Sequence, residues 1–438
     1  MPAISHDQRD TGRSSSNSGP ANPPLVFAAC QAPQPADSGA RIRTHHLLTG
    51  LSRAFETLFL TFEPPVDRPE EQWCRADLER LYPGVKVRAV PLPGTAKRAD
   101  QALSLLRPRS WTNGRYVSRR FTESVGQAVA ATPSCIVHFD DLGVAQVGPQ
   151  PGALNVYCSH NVEVQILRHG ARAGSPPRRI FYAVEALKVG FEERSVWRSM
   201  DLSLAVSAFD GEAMRAGGAR RVELCPNGAP FVEPLPAHSR ASDEPLRLLF
   251  VGTGSYVPYE RGLAWFVREV LPRIKARTPV ALDVVGDPPA RPLEARGVRY
   301  VGRVPSVEPF YRTAHGFIVP VFEGSGTRLK ILEAIAYGRP VISTSLGAEG
   351  LPLLGGEHFL LADDANSFAD AALRVAEWSK QPDGGELERL IASAREAARG
   401  FFWPEITGRL VELYRSEWER HRSTGSPSGG VLAGRRLP

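Results

Sequence analysis

The chain has 438 residues, 42% hydrophobic and 23% charged, which predicts two or three ordinary globular domains at roughly 100–200 residues each. Its five cysteines (Cys30, Cys74, Cys135, Cys158, Cys225) form no Cys-x-x-Cys pair, which argues against a disulfide framework or zinc site and fits a reducing compartment. The net charge of +6 is scattered rather than gathered into a basic stripe; a nucleic-acid partner is therefore not expected, and the charge suits anionic donors or peripheral contact with an anionic membrane face.

Residues 1–24 are rich in Ser, Asn, Gly, Pro and Asp and lack the apolar core of a signal peptide, so they read as a disordered tail. Residues 25–30 read as a strand, 39–54 as a helix with Ile42, Leu47, Leu48 and Leu51 on one face, and 56–62 as the next strand. Strands follow at 135–139 and 153–158, a long charged helical region at 162–199, then strands at 202–206 and 222–225. The stretch 231–244, flanked by Pro230 and Pro245, holds two prolines and no periodic pattern, which marks a linker, placed at 236–245. Strand–helix alternation then restarts: strand 246–251, helix 262–276, and strands 281–285, 298–301, 316–321 and 340–344. No segment approaches the ~20 apolar residues of a membrane span, and residues 422–438 read as a second flexible tail. Continuous apolar strands separated by helices imply parallel sheets covered on both faces. The expected fold is α/β, with two Rossmann-like domains (25–235 and 246–403) facing a cleft. Ligands in such sheets sit at the carboxyl ends of strands.

The most informative segment is 321–340. An apolar strand ends at Val321, and the turn Glu323-Gly-Ser-Gly-Thr327 carries two glycines and two hydroxyls suited to an N-cap. A helix runs on to Tyr337, with Gly338 as its stop and Pro340 beyond. A helix N-terminus after a Gly-rich turn is a natural anion site. Arg328 and Lys330 lie in its first turn, where cations oppose the helix dipole unless an anion is near; a diphosphate removes that conflict. Glu333 sits in an otherwise apolar run and needs a partner. Two readings stand: an i, i+3 ion pair with Lys330, or acceptance of hydrogen bonds from the ribose of a nucleotide.

The run from Gly324 to Thr344 resembles the donor-site signature of family-4-type, retaining GT-B glycosyltransferases, as found in exopolysaccharide gene clusters. The resemblance implies that Glu333 binds the nucleotide ribose, and that Gly326, Thr327, Arg328 and Lys330 hold the diphosphate. Ser345–Leu351 is similar to that group too. Further elements match in order: the loop 33–43, whose Gly39 lets donor phosphate and sugar approach; Ser159-His-Asn-Val-Glu163, whose His160 lies near the transferred sugar; Val206–Asp210; Pro226-Asn-Gly228; and Phe250-Val-Gly252 opening the donor domain. Phe402-Trp403 precedes a helix (404–421) that in relatives crosses back to the first domain. The match covers roughly 25–420. It implies transfer of a sugar from a nucleotide diphosphate-sugar, a substrate rather than a cofactor, to a glycan or lipid-linked acceptor. The lack of an apolar span and of a signal-peptide core predicts a cytoplasmic protein, with room for peripheral contact at the inner membrane face.

Two departures stand out. Many relatives carry Glu-x7-Glu, and here the first position is Ser325, which leaves sugar specificity open. Relatives also place Arg and Lys in the loop after the first donor-domain strand. Here Thr253 stands near the Arg position and only Arg261 supplies charge, so Arg328 and Lys330 are expected to carry the load with His160 as the catalytic set. These departures also admit a non-catalytic sugar-nucleotide binder within an assembly complex. His160 alone reads either as a polar loop residue or as a ligand to the sugar. Gly39 with Arg41 reads as a plain helix start or a phosphate approach. Asp140-Asp141 is not the Asp-x-Asp of a metal-dependent enzyme, so no metal is expected. Gly252-Thr-Gly254 lacks the third glycine of a dinucleotide fingerprint, Val257 standing in its place.

Overall fold

The structure is a computed structural model that describes residues 22–34, 36, 38–64, 73–93, 104–172, 176–236, 239–241, 243–252, 256–289, 292–323, 329–380 and 385–424. Two all-parallel sheets organise it. The first has the order β3-β2-β1-β4-β5-β6-β7 and the second β10-β9-β8-β11-β12-β13. In the first, β1 is Leu25–Ala29, β2 Thr57–Phe62, β3 Val85–Val90, β4 Ile136–Asp140, β5 Leu154–Cys158, β6 Leu202–Ala205 and β7 Val222–Leu224. In the second, β8 is Leu246–Val251, β9 Val280–Val285, β10 Val298–Gly302, β11 Gly316–Val319, β12 Val341–Ser343 and β13 Leu360–Leu361. The central strands β1, β4 and β5 are buried at every residue, as continuous apolar runs require when helices cover both faces.

Each sheet reverses direction once. The chain runs outward from β1 to β3 and returns with β4 beside β1; it runs outward from β8 to β10 and returns with β11 beside β8. A crevice opens at such a switch point, beyond the carboxyl ends of the strands. Gly39 and Asp140 lie at the first and Gly252 at the second.

Several elements differ from the sequence reading. The edge strand β3 was not expected; its Val-Lys-Val-Arg alternation buries Val85 and Val87 and exposes Lys86 and Arg88, a two-residue period rather than a continuous run. The two-residue β13 leaves no periodicity to read. The helical region splits into Glu163–Arg172 and Pro176–Ser199. The helix expected at 262–276 begins earlier, at Val257, and passes through a π-helical stretch, Phe266–Val270. Gly262 falls within it because a Cβ there would lie 1.7 Å from the Pro320 carbonyl.

The chain crosses between the sheets twice, at neighbouring points. Ala229 donates to the Phe401 carbonyl at 2.9 Å, and Trp403 donates to the Ala229 carbonyl at 3.1 Å. The Pro-rich stretch lies along the second unit: Leu235 donates to the Tyr337 carbonyl and Arg339 to that of Pro236. The last helix, Trp403–Ser423, packs on the first unit. Its Trp403, Ile406, Leu410, Tyr414 and Trp418 share a core with Leu47, Leu48 and Leu51, and Thr407 fills the space beside Gly50. Burying Ile406 or Leu410 contributes about 1.5–3 kcal/mol each.

Candidate functional site

A cleft of about 880 Å³ separates the two units. On one wall lie Asn161, Ser207, Asp210 and Asn227, which follow β5, β6 and β7; on the other lie Leu329, Glu349 and Gly350, which follow β11 and β12. Both walls are therefore carboxyl ends of strands.

Beside it sits a buried polar cluster centred on Asp140, the last residue of β4. Its carboxylate accepts from Thr44 Oγ1 at 2.5 Å and lies 2.8 Å from His160 Nε2, with His138 Nε2 at 3.7 Å. His138 Nδ1 is 2.5 Å from the Tyr414 hydroxyl, contributed by the returning helix. Burial disfavours charge on Asp140, but His160 and His138 outweigh it and hold the carboxyl well below its usual range. Burial likewise opposes charge on His160, yet Asp140 lifts its pKa above the ordinary imidazole value. In the charged form both ring nitrogens are donors. One is spent on Asp140; His160 Nδ1 is buried with no partner among the described residues. Sequence reasoning singled out His160 and treated Asp140 only as a missing metal ligand.

Arg43, also buried, was missed. It donates to the Cys225 carbonyl at 2.8 Å, to Asn227 Oδ1 at 3.0 Å and to Cys158 Sγ at 3.4 Å. It thereby ties the first helix, Gly39–Ser52, to the ends of β5 and β7. His138, Asp140 and Cys158 have donor atoms within 4.8 Å of one another. A guanidinium bonded to Cys158 puts a fixed positive charge beside them, which opposes a cation there.

The second unit brings Lys330 and Glu333 together. Lys330 Nζ donates to Glu333 Oε2 at 2.7 Å, and the buried Tyr311 hydroxyl donates to the same oxygen at 3.4 Å. The i, i+3 ion pair is thus formed. Tyr311 stacks on Tyr337 at 4.6 Å and closes the apolar side of the pair. Arg261 donates through Nη1 to both oxygens of Glu323, at 2.8 and 2.9 Å. Its charge is therefore already matched, although sequence reasoning had left it for a diphosphate. Gly252 is explained by packing: a Cβ would meet the Tyr259 ring at 2.8 Å. Gly39 is different, since among the described residues a Cβ there would meet nothing within 4 Å. Ser38 caps its helix, accepting from the Arg41 amide. Ser325, Gly326, Thr327 and Arg328 lie outside the described residues, as does Thr253.

The helix after His160 is capped from within the protein. Glu193 Oε1 accepts from the Glu163 amide at 2.6 Å, so an internal carboxylate occupies that N-terminus.

Two Rossmann-like parallel sheets whose strand ends meet across a cleft, with a final helix returning to the first unit, are the GT-B fold. Residues 245–377, which lie in the second unit, match the family described as "Glycosyl transferases group 1". Over 220 residues the chain is 26% identical to a Klebsiella pneumoniae protein described as an uncharacterized 44.6 kDa protein in the cps region. That alignment takes in 47% of this chain and 54% of the relative, so the chain spans about half the length of this curated relative. Among solved structures it resembles sucrose-phosphate synthase of Thermosynechococcus elongatus, with a TM-score of 0.60 and 18% identity over 91% of this chain and 100% of that one. It also resembles Anabaena HepE in complex with UDP-glucose, with a TM-score of 0.53 and 14% identity over 90% and 99%. At these identities the likeness establishes the fold.

Proposed function

We propose that the protein is a glycosyltransferase that moves a sugar from a nucleotide diphosphate-sugar to a glycan or lipid-linked acceptor in polysaccharide biosynthesis. In this reading it acts with retention, without a metal, in the cytoplasm or peripherally at the inner membrane face. The observation that carries it is the cleft at the strand ends of both sheets, with the Asp140–His160 pair on one side and the helix Leu329–Ala336 on the other. The group 1 domain over 245–377 supports it, and so does the complex of HepE with UDP-glucose.

Departure of the leaving group makes an oxocarbenium-like centre and adds negative charge to the diphosphate. Preorganised donors at those points lower the barrier. Lys330, Arg328 and the amides of Gly326 and Thr327 are proposed for the diphosphate, with Ser325 beside the sugar and Glu333 on the ribose. Gly39 leaves room for phosphate approach, and His160 Nδ1 donates to the transferred sugar. Gly252 and Arg261 are kept at the margin of this site, because packing and Glu323 account for them. The Arg261–Glu323 pair favours a second reading, a non-catalytic sugar-nucleotide binder that regulates a polysaccharide assembly complex. A thermal-shift screen of UDP-, GDP- and ADP-sugars, followed by assay of sugar release or transfer, separates the two. Stabilisation with turnover is the expected result. Stabilisation without turnover supports the binder, and a response to no nucleotide-sugar contradicts both.

A further inference from the structure

The helices Glu163–Arg172 and Pro176–Ser199 form an antiparallel pair. A Cβ on Gly170 would meet the Tyr182 ring at 3.1 Å, and one on Gly190 would meet Val164 at 3.2 Å. That pairing sets Ile166 level with Leu187. Large apolar side chains stand out from it: Ile166 is 58% exposed, Ile180 63%, Leu187 76% and Phe191 75%. At about 100° per residue, Ile180, Leu187, Phe191, Arg194 and Arg198 fall within about 40° of one line along the longer helix. A row of this kind on a free surface marks an interaction site.

Charge is sorted across the same pair. Among its described side chains, the exposed charges are Arg168, Arg172, Arg178, Arg179, Arg194 and Arg198. The carboxylates turn inward. Glu185 accepts from the Trp111 amide, Glu192 from Ser110 and Asn113, and Glu193 from the Glu163 amide. The adjoining segment, held where Lys188 donates to the Ser104 carbonyl at 2.6 Å, continues the pattern with exposed Leu106, Arg107 and Arg109.

We propose that this helical pair docks the protein on an anionic lipid surface, with Ile180, Leu187 and Phe191 entering the acyl boundary and the arginines meeting the headgroups. A second copy of the chain would bring the same arginines into opposition. A nucleic acid offers phosphates but no hydrocarbon for Leu187 and Phe191. Ile166 also lines the interdomain cleft, together with exposed Phe209 and Leu224. Docking therefore brings an apolar edge of the cleft to the membrane and selects a lipid-linked acceptor. That last step rests on the transferase reading; the docking itself does not.

The test is flotation of the full-length chain with vesicles of phosphatidylcholine alone or with about one third phosphatidylglycerol. Wild type should float with the anionic vesicles only, and less as salt rises. Leu187→Ser with Phe191→Ser, and separately Arg194→Glu with Arg198→Glu, should each lower the bound fraction about tenfold. Their thermal response to nucleotide-sugars should match wild type, which separates failure of docking from failure of the donor site. Absence of wild-type binding, or binding unchanged in both double variants, would overturn the proposal. So would a wild-type dimer in sedimentation that the Leu187/Phe191 variant abolishes, because a second copy would then cover this face.

Discussion

Asp140 is a carboxylate at the end of a fully buried strand, and such a group persists only where neighbours compensate its lost hydration. Thr44 and His160 do so directly, and the cost of burial is returned as a fixed orientation for the imidazole. The two groups titrate in opposite senses. His160, raised, contributes stability that is complete below its unfolded value of about 6.5 and is lost as pH rises through the folded pKa. Asp140, lowered, contributes stability present above about 3.9 and lost as pH falls through its folded pKa. The pair is therefore strongest between those limits. Asp140→Asn should lower the pKa of His160 in an NMR titration and cost about 3–5 kcal/mol in that window, the range for breaking a buried pair. An unchanged imidazole titration would separate the two residues. His160 was legible in the sequence because it follows a strand and precedes a helix. Its partner was not, although the rule applied to Glu333, that a carboxylate in an apolar run needs a partner, applies equally to Asp140. The partner lies 20 residues away, and only the pairing of β4 with β5 brings them together. Arg43 was hidden for the same reason: its acceptors follow by 115 to 184 residues.

At the scale of elements, the pairing of Glu163–Arg172 with Pro176–Ser199 stores a pH dependence. Burial, with Asp141 nearby, pushes Glu163 up to about 8, and burial pushes Glu193 up to about 7. An acid whose folded pKa exceeds its unfolded value of about 4.3 contributes stability that is full below that value and erodes as pH rises to the folded pKa. Glu163→Gln removes the ionisation while keeping an acceptor for Asn113. Its melting temperature relative to wild type should rise between pH 5 and 8 by roughly 2–4 °C for each kcal/mol relieved. A difference independent of pH, read by scanning calorimetry, would contradict the assignment. The strand sequence was readable where strands are buried on both faces. β3 escaped because an edge strand with one solvated face alternates, and β13 because two residues carry no period. The division into the helices Glu163–Arg172 and Pro176–Ser199 and the π-helical turn at Phe266–Val270 depart from patterns that periodicity alone treats as continuous.

At the scale of the molecule, two crossings a few ångströms apart join the halves, where Ala229 bridges Phe402. The returning helix fixes its far end in the first core through Tyr414 and Trp418, which donates to the Ser134 carbonyl at 2.6 Å. On the proposed transferase reading, the paired crossings are the expected pivot for closing the cleft, which would exclude water from a reacting sugar. The two-domain plan was legible from the restart of strand–helix alternation past the prolines. The routing of that proline stretch along the second unit was not, because it depends on bonds to the Tyr337 carbonyl and from the Arg339 guanidinium. The central claim is that a nucleoside diphosphate lies at the helix Leu329–Ala336, with its ribose on Glu333. Calorimetric titration of UDP, GDP and ADP into wild type and Glu333→Ala tests it most directly. The account predicts that one of them binds wild type and that the variant loses about 1.5–3 kcal/mol, roughly ten- to a hundredfold in affinity. Equal affinity in both proteins would leave Glu333 as the ion-pair partner of Lys330 alone, and binding of none would contradict the site.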